Sequence, residues 1–343
     1  MTPYLLEFLI DPATGEKLTL ENPIYDSFGN IESGILNSIS GNNYQIIRGV
    51  PRFLENLSVK TAAAFGDEWN FFNFEQFKEN WLKHVVKNTF GSVNIFKDNI
   101  IIDAGCGSGA QAKWFLEYGA SHVFLMDLSH SVDDVVKRNL SGVDPTRFDI
   151  IQCSIDAPPF MPMSFKGLVY CHNVIQHTPS VEKTANSLYN LLAPGGEFVF
   201  NCYSTNDHNL VTWIRFNFIY KPLRFTLRRL PFKLRLLYSR IVASLKILPL
   251  IGFLLEKSGF VIQGDVPIIK GESPIKRFKR AFRLSVLNTF DAFGGHTYQW
   301  HKSDEEIKSI IYSFEPKPTK ILNTAKYFQK PRRPIGCALR IFR

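Results

Sequence analysis

The chain has 343 residues, of which 45% are hydrophobic and 21% charged, and this composition excludes an intrinsically disordered protein. Its five cysteines include no Cys-x-x-Cys pair, so a zinc site built on thiolates is not expected. We expect the cysteines to be reduced thiols in a cytoplasmic protein. The N-terminal stretch lacks the basic region of a signal peptide, and the longest apolar stretch, Ile241–Leu255, is too short to span a bilayer.

Positive charge is concentrated in one segment. Residues 207–290 hold 16 Lys and Arg against four Asp and Glu, a net charge of +12. The whole chain carries +9, so the remaining residues carry 9 − 12 = −3. A partner attracted by positive charge is therefore expected to meet this segment.

The pattern at the start of the chain predicts a small N-terminal module over residues 1–57. Within it, "GNNYQIIRGVPRFL" alternates apolar and polar residues and ends in a Gly-Val-Pro turn, which predicts a strand and its exit. Residues 58–98 are aromatic with helical spacing. They open a predicted cofactor-binding core over residues 58–206.

Strands and helices then alternate, which predicts a doubly wound, mostly parallel α/β sheet. The expected strands lie near residues 100–104, 122–127, 148–152, 167–171 and 197–203. Helices are expected between them at 111–118, 132–139 and 181–192. Ligands of such sheets bind at the carboxyl ends of the strands, beside the point where the strand order reverses.

The alternation is interrupted by a predicted basic helical insert over residues 207–290. Its apolar residues recur at helical spacings of three and four, and we expect Pro222 and Pro231 to break the helix into pieces. These apolar residues are Leu223, Leu227, Leu230, Leu234, Leu237 and Ile241. Residues 291–343 are expected to complete the sheet, with a helix near 303–314 that Ser303 and Glu306 cap and strands near 319–323 and 336–342.

The stretch "IIDAGCGSGA" places glycines directly after the first strand of the alternation, where backbone turns tightly and approaches a ligand. Gly105, Gly107 and Ala110 also satisfy the dinucleotide fingerprint, and Asp127 could bind the ribose of either cofactor class. Asp103 favours S-adenosylmethionine over NAD, because a carboxylate attracts an ammonium group and repels a pyrophosphate.

The ordered stretches "DAGCGSG", "MDLS", "LVYCHNVIQH" and "LLAPGGEFVF" resemble a class I S-adenosylmethionine-dependent methyltransferase over about residues 99–203. The resemblance implies a Rossmann-like sheet of seven strands, with residues 207–290 as a lid over the acceptor. The N-terminal module resembles a zinc-ribbon-like module that precedes some of these enzymes, here without its cysteines, which implies that the metal has been lost.

The same resemblance implies roles for individual residues, with S-adenosylmethionine as cofactor. Its methionine end would be lined by Asp103, Gly105, Gly107, Gly109 and Asn173. Asp127 would bind ribose, with Leu128 beside the adenine. In the loop after the third strand, Ile155 would pack on the adenine ring. In the same loop, either Ser154 or Asp156 would accept a hydrogen bond from the adenine amino group.

Three residues are candidates for the chemistry of methyl transfer, which requires alignment and, for some acceptors, removal of a proton. His177 follows the fourth strand and is the first candidate base; the alternative is a histidine that holds its loop by hydrogen bonds. His296 and Tyr298 lie in the loop "DAFGGHTYQWHKSDEE", which borders the acceptor in related enzymes, and His301 lies close by. The alternative for this loop is a solvated turn with packed aromatic residues.

The resulting prediction is a methyltransferase that acts on oxygen in a small, sugar-like or lipid-linked acceptor, with nitrogen as the alternative. A tRNA or rRNA methyltransferase and a non-catalytic, cofactor-binding regulatory scaffold are the rival functions, and an NAD-dependent reductase is more distant. Because the basic insert interleaves Leu, Ile and Phe, it favours peripheral contact with the inner membrane surface over nucleic acid. The sequence leaves the acceptor and the oligomeric state open.

Overall fold

The computed structural model describes residues 1–54, 66, 69–205, 210–246, 248–262, 268–330 and 333–343. The chain divides into two compact units. The first unit comprises Met1–Phe74, His84–Ser204 and Tyr298–Arg343, and the second comprises Glu75–Lys83 and Thr205–Thr297.

The strands of the described residues all lie in the first unit. They are β1 (Thr19–Tyr25), β2 (Ile31–Asn37), β3 (Asn43–Ile47), β4 (Val50–Phe53), β5 (Ile100–Ala104), β6 (His122–Asp127), β7 (Phe148–Cys153), β8 (Leu168–Cys171), β9 (Glu197–Phe200), β10 (Tyr203–Ser204), β11 (His301–Lys302), β12 (Lys320–Leu322) and β13 (Leu339–Phe342).

The α-helices fall in both units. They are α1 (Lys78–Asn80), α2 (Ala110–Glu117), α3 (Ser131–Asn139), α4 (Val181–Asn190), α5 (Leu210–Ile214), α6 (Lys221–Leu227), α7 (Phe232–Leu245), α8 (Pro249–Ser258), α9 (Pro274–Ala292), α10 (Asp304–Tyr312) and α11 (Thr324–Tyr327). Short 3₁₀ turns include Ile175–His177, and π-helical turns cover Trp81–Phe90 and Arg215–Tyr220.

One mixed sheet of eleven strands organises the first unit, in the order β1-β2-β3-β4-β7-β6-β5-β8-β9-β13-β12. The neighbours from β4 to β9 are parallel, and β13 pairs antiparallel with both β9 and β12. The strand order reverses between β5 and β8, so the glycine loop after β5 lies at the switch point where ligands bind in such sheets.

The α/β prediction is confirmed, but the sheet is larger than the seven strands expected, because the four strands of the N-terminal segment join it. The four N-terminal strands form an antiparallel meander, and β4 then pairs with β7, with Arg52 opposite Gln152. Without β4, the buried strand β7 would present unpaired backbone groups at the edge of the sheet. The sequence pattern predicts one strand that ends at the Gly-Val-Pro turn, and this turn is wrong, because Val50 and Pro51 begin the second strand β4. The pairing of β4 with β7 leaves no local signal, because the two strands lie a hundred residues apart.

The N-terminal segment is also held by side chains. The Thr2 backbone N and Oγ1 donate to the two carboxylate oxygens of Asp149, at 2.5 and 2.7 Å, and His122 Nε2 lies 3.0 Å from the same carboxylate. In the described part of the chain, no group of three or more His, Cys, Asp or Glu could hold a metal ion. The zinc-ribbon resemblance stays a prediction.

Most of the predicted elements of the first unit agree with the structure within one to three residues. The Ser303 side chain accepts from Glu306 N at 3.2 Å and the Glu306 side chain accepts from Ser303 N at 2.7 Å, so the capping box is confirmed. The expected strand over 197–203 ends at Phe200, and Tyr203–Ser204 pair instead with β11. Part of the aromatic stretch, residues 55–65 and 67–68, lies outside the described residues.

The second unit is helical, as expected for the basic insert. Pro231 is the residue before α7, which confirms one of the two predicted breaks. Pro222 does not break the helix, since the backbone stays helical from the π-helical turn Arg215–Tyr220 into α6. Within the described residues, no helix combines the length and the hydropathy that a membrane span requires.

Candidate functional site

The glycine loop after β5 turns tightly beneath the end of β6. Gly105, Gly107 and Gly109 have φ angles of 83°, 56° and 73°, a region that favours glycine. The backbone N–H groups of Gly105 and Cys106 donate to the Met126 carbonyl at 2.8 and 3.0 Å. Gly109 then caps α2, so the three glycines form the strand-to-helix turn.

Side chains approach this loop so closely that only glycine fits. A Cβ on Gly105 would lie 2.3 Å from Val174 Cγ1, and a Cβ on Gly107 would lie 2.8 Å from two ring atoms of Trp69. At Gly109 the nearest atom, Val136 Cγ1, would be 3.0 Å away. The loop is therefore a tightly packed backbone turn, here called the glycine cradle, in which an added methyl group would collide with neighbouring side chains.

Asp127, at the end of β6, holds the loop in place. Its Oδ2 accepts from Gly107 N at 2.8 Å, and its Oδ1 accepts from Ser129 N and Oγ at 2.8 and 2.7 Å. Burial raises the pKa of the Asp127 carboxyl, and the hydrogen bonds to Ser129 and Gly107 act in the opposite direction. The predicted ribose-binding residue thus also fixes the glycine loop.

Asp103, at the end of β5, is buried with 4% of its surface exposed, and its Oδ2 has no hydrogen-bond partner among the described residues. Burial, together with the charge of Asp127, raises the pKa of the Asp103 carboxyl to about 8. A buried carboxylate oxygen without a partner is costly, and a cation would satisfy it. The residues present therefore fit the ammonium group of a methionine moiety beside a glycine cradle.

The end of β6 is supported by residues that sequence reasoning missed. Leu128 is half-buried, and its carbonyl accepts from Gln152 Nε2 at 3.2 Å. Gln152 Oε1 in turn accepts from Arg52 Nη1 at 2.7 Å, so the N-terminal strand β4 reaches the loop that follows Asp127. The signal was present in "IIQC" and "VPRF", each with one polar residue in an apolar strand.

The loop after β7 brings both adenine-binding alternatives together. The Ser154 hydroxyl donates to the Asp156 carboxylate, and Asp156 also lies 4.0 Å from Lys183 Nζ. Ile155 between them is buried. Ser154 and Asp156 are thus one hydrogen-bonded pair, and the role of each toward adenine stays a prediction.

Asn173, after β8, has a left-handed backbone with φ of 59° and an exposed side chain. Its backbone N donates to Asn201 Oδ1 and its Oδ1 accepts from Asn201 Nδ2, both at 2.7 Å. Asn201 follows β9 and was missed in the sequence, although it is the first polar residue after "EFVF". The pair joins the ends of β8 and β9.

Two further buried polar residues flank Asn173. Gln176 is fully buried, and neither side-chain amide atom has a hydrogen-bond partner. His172 Nε2 lies 3.2 Å from the Gly336 carbonyl, and burial lowers the pKa of His172 to about 4. His172 is therefore neutral at physiological pH.

His177 and Tyr298 are brought together in the first unit. His177 is buried, and its Nδ1–H donates to the Tyr298 carbonyl at 3.1 Å. The Trp300 backbone N donates to the Gln176 carbonyl, and its Nε1 donates to the Thr178 carbonyl, both at 2.9 Å. The segment around Tyr298 is thus fastened to the turn that carries His177.

His296 belongs to the second unit. Its side chain is 1% exposed, and Nε2 lies 3.2 Å from Asp291 Oδ1. Its carbonyl accepts from Arg224 Nη2 at 3.2 Å. The three predicted catalytic residues therefore divide between the units, and their part in catalysis stays a prediction.

Comparison with known proteins gives a family match for the center of the first unit. Residues 102–200 match the model of a methyltransferase domain. These residues run from within β5 to the end of β9 and include the glycine loop, Asp103 and Asp127. No curated protein matches the chain.

Solved structures resemble parts of the chain. An S-adenosylmethionine-dependent methyltransferase from Mesorhizobium loti is 28% identical over 31% of this chain and 46% of its own, with a TM-score of 0.28. A putative methyltransferase complex with the Trm112 activator from Haloferax volcanii is 19% identical over 46% of this chain and 68% of its own, with a TM-score of 0.34. The chain thus spans less than half of the first of these structures.

The family match and the described residues coincide at the carboxyl ends of β5 and β6. There the glycine cradle, the unpartnered Asp103 oxygen and the buried Asp127 suit a cofactor with a ribose and an ammonium group. Residues 102–200 thus match a methyltransferase domain, and the residues of this site suit S-adenosylmethionine as the cofactor.

Proposed function

We propose that the whole chain is a methyltransferase that acts on an oxygen atom of a small, sugar-like or lipid-linked acceptor in the cytoplasm. The observation that carries the proposal is the buried Asp103 carboxylate oxygen without a partner, beside backbone that only glycine can form. A dinucleotide reductase would place a pyrophosphate at this loop, and its negative charge would further disfavour ionisation of the buried Asp103 carboxyl group. Transfer to nitrogen is the alternative chemistry.

Bound S-adenosylmethionine supplies a methyl group on a positively charged sulfur. Asp103 would hold the ammonium group, and its carboxyl would lose its proton as the cation arrives. Asp127 would accept from ribose hydroxyls while it keeps the Gly107 N–H. Leu128 and Ile155 would pack on the adenine. The Ser154 and Asp156 pair would accept a hydrogen bond from the adenine amino group.

His177 is the proposed base for a hydroxyl acceptor. Because a carbonyl oxygen only accepts, the bond to Tyr298 places the ring hydrogen on Nδ1, and Nε2 is the basic nitrogen of the neutral ring. Nε2 would take the proton of the acceptor as the methyl group is transferred. The rigid attachment of its turn through Trp300 supports a positioned base.

The second unit is the proposed lid, and His296 and Tyr298 are proposed to orient the acceptor. The contact of His296 with Asp291 would hold the imidazole in one orientation. The net charge of +12 over residues 207–290 is the support for an RNA acceptor as the rival. The many exposed Leu, Ile and Phe side chains of this segment favour an apolar acceptor instead.

Thermal unfolding with S-adenosylhomocysteine, beside NADH at the same concentration, tests the proposal. A ligand present at a hundred times its dissociation constant adds about 2.7 kcal/mol to the free energy of unfolding. Stabilisation by S-adenosylhomocysteine alone supports the proposal and leads to an acceptor search with labelled methyl groups. Stabilisation by NADH alone would overturn it. Stabilisation by neither would also overturn it, because the methyltransferase and the cofactor-binding scaffold would both bind S-adenosylhomocysteine.

A further inference from the structure

Helix α7 carries apolar side chains on its exposed side as well as on its buried side, where Leu236, Val242 and Ala243 lie. Its exposed side carries Leu234, Leu237, Ile241 and Leu245, which are 48%, 52%, 49% and 39% exposed and recur at spacings of three and four. Its buried side contains Arg235, whose guanidinium lies over the Phe290 ring at 5.0 Å. The exposed leucines and isoleucine therefore form one continuous apolar stripe.

Helix α8, which packs against α7, also exposes apolar side chains. Leu250, Ile251, Phe253 and Leu254 are 71%, 41%, 58% and 56% exposed within two turns. Lys257 Nζ lies 5.7 Å from the centre of the Phe253 ring, so a charged group accompanies the apolar side chains. We call these four residues and the α7 stripe the apolar face.

The surroundings of the apolar face are basic. Residues 233–257 contain five Lys and Arg and a single acid, Glu256. Lys233 and Arg240 are exposed on α7, and helical spacing places them along one side of the stripe. Apolar side chains bordered by cations are typical of helices that lie in the interface of an anionic membrane.

We propose that the apolar face binds the surface of an anionic lipid bilayer, with its leucines and Phe253 among the acyl chains and Lys233 and Arg240 at the headgroups. A second copy of this chain would bring like charges together, which disfavours self-association through this face. Nucleic acid would leave the aliphatic stripe exposed to water. The proposal concerns the second unit alone and does not depend on methyl transfer.

Flotation of the full chain with lipid vesicles tests this proposal. The vesicles contain phosphatidylcholine alone or with about one-third phosphatidylglycerol, which gives the anionic surface. We expect the chain to float with the anionic vesicles, and to do so less at high salt. The double substitution L237Q/I241Q should lower the bound fraction about tenfold, and K233Q/R240Q should weaken binding mainly at low salt.

Matched controls use exposed residues of the first unit. Ile39 is 89% exposed and I39Q should leave binding unchanged, as should K317Q, whose side chain is 60% exposed. The helical circular dichroism signal shows that each variant is folded, and because it needs no cofactor it separates this test from that of the proposed function. Flotation of L237Q/I241Q at the wild-type level, or equal recovery with both kinds of vesicle, would overturn the proposal. A dimer in solution that L237Q/I241Q dissociates would also overturn it, because the face would then bind a second copy.

Discussion

Two regions of the molecule depart from ordinary burial in opposite directions. At the ends of β5 and β6, the carboxyl groups of Asp103 and Asp127 are buried, with 4% and 8% of their surface exposed. On α7 and α8, eight large apolar side chains are between 39% and 71% exposed. The first region removes charge from water, and the second leaves apolar surface in it.

Both departures disfavour the isolated folded chain, and each predicts the character of a partner. A buried carboxylate without a partner suits a small cation, since the cation restores the charged form that burial disfavours. An exposed apolar stripe bordered by Lys and Arg suits an apolar surface with negative charge. Such conflicts between local rules and the fold are expected at functional sites.

The largest effect should come from neutralising Asp103. We expect D103N to weaken S-adenosylhomocysteine binding roughly ten- to a hundredfold, because a charge-assisted contact with the ligand ammonium is lost. Isothermal titration calorimetry measures the change.

The matched control for this substitution is D98N. Asp98 is exposed, lies just before β5 and has a φ of 57°, a conformation that asparagine tolerates well. D98N should bind like the wild type. Equal affinities for D103N and the wild type would remove Asp103 from the cofactor site.

The pH dependence of stability should expose the same group. The pKa of Asp103 rises from 3.8 to about 8 on folding, so between these pH values the folded chain holds a proton that the unfolded chain has released. Stability from this group is therefore lost as pH rises through that range. Between pH 6 and 8.5 the Tm of the ligand-free wild type should fall more than that of D103N, and parallel curves would contradict the shift.

A smaller effect is expected from closing the glycine cradle. G107A and G142A each place alanine at a positive φ, which costs about 1 kcal/mol. Nothing lies within 4 Å of a Cβ at Gly142, whereas at Gly107 it would meet the Trp69 ring at 2.8 Å. G107A should therefore lose roughly 1–3 kcal/mol more in denaturant unfolding, from overpacking. Equal losses in the free energy of unfolding of the two variants would show that the Trp69 ring moves aside at little cost.

The fold was largely predictable where local chemistry decides it. The apolar runs of β5 to β9 and the Ser303 capping box follow from residues that are neighbours in sequence. The pairing of β4 with β7 could not be predicted, since it depends on an edge that forms only when the sheet is assembled. Pro222 was misread, because the backbone stays helical from the π-helical turn Arg215–Tyr220 into α6.

The candidate site was predictable in its motifs but not in its supports. The spacing of the glycines, Asp103 and Asp127 carries the family signature. The Arg52 and Gln152 contact and the Asn173 and Asn201 pair join segments far apart in sequence, so the local pattern shows each polar residue but not its partner. The exposure of the α7 stripe was also hidden, since a stripe of leucines has the same spacing whether it faces a core or water.

The smallest expected effect concerns that stripe and the stability of the second unit. If the apolar face is kept for a partner and not for folding, L237Q/I241Q should change the free energy of unfolding by no more than about 0.5 kcal/mol. Val242 directly follows Ile241 in sequence but is buried with 6% exposed, and V242A should cost about 2 kcal/mol. Denaturant unfolding followed by circular dichroism measures both. A loss in L237Q/I241Q as large as that in V242A would mean that the stripe packs within the protein, and the contrast between the two regions would disappear.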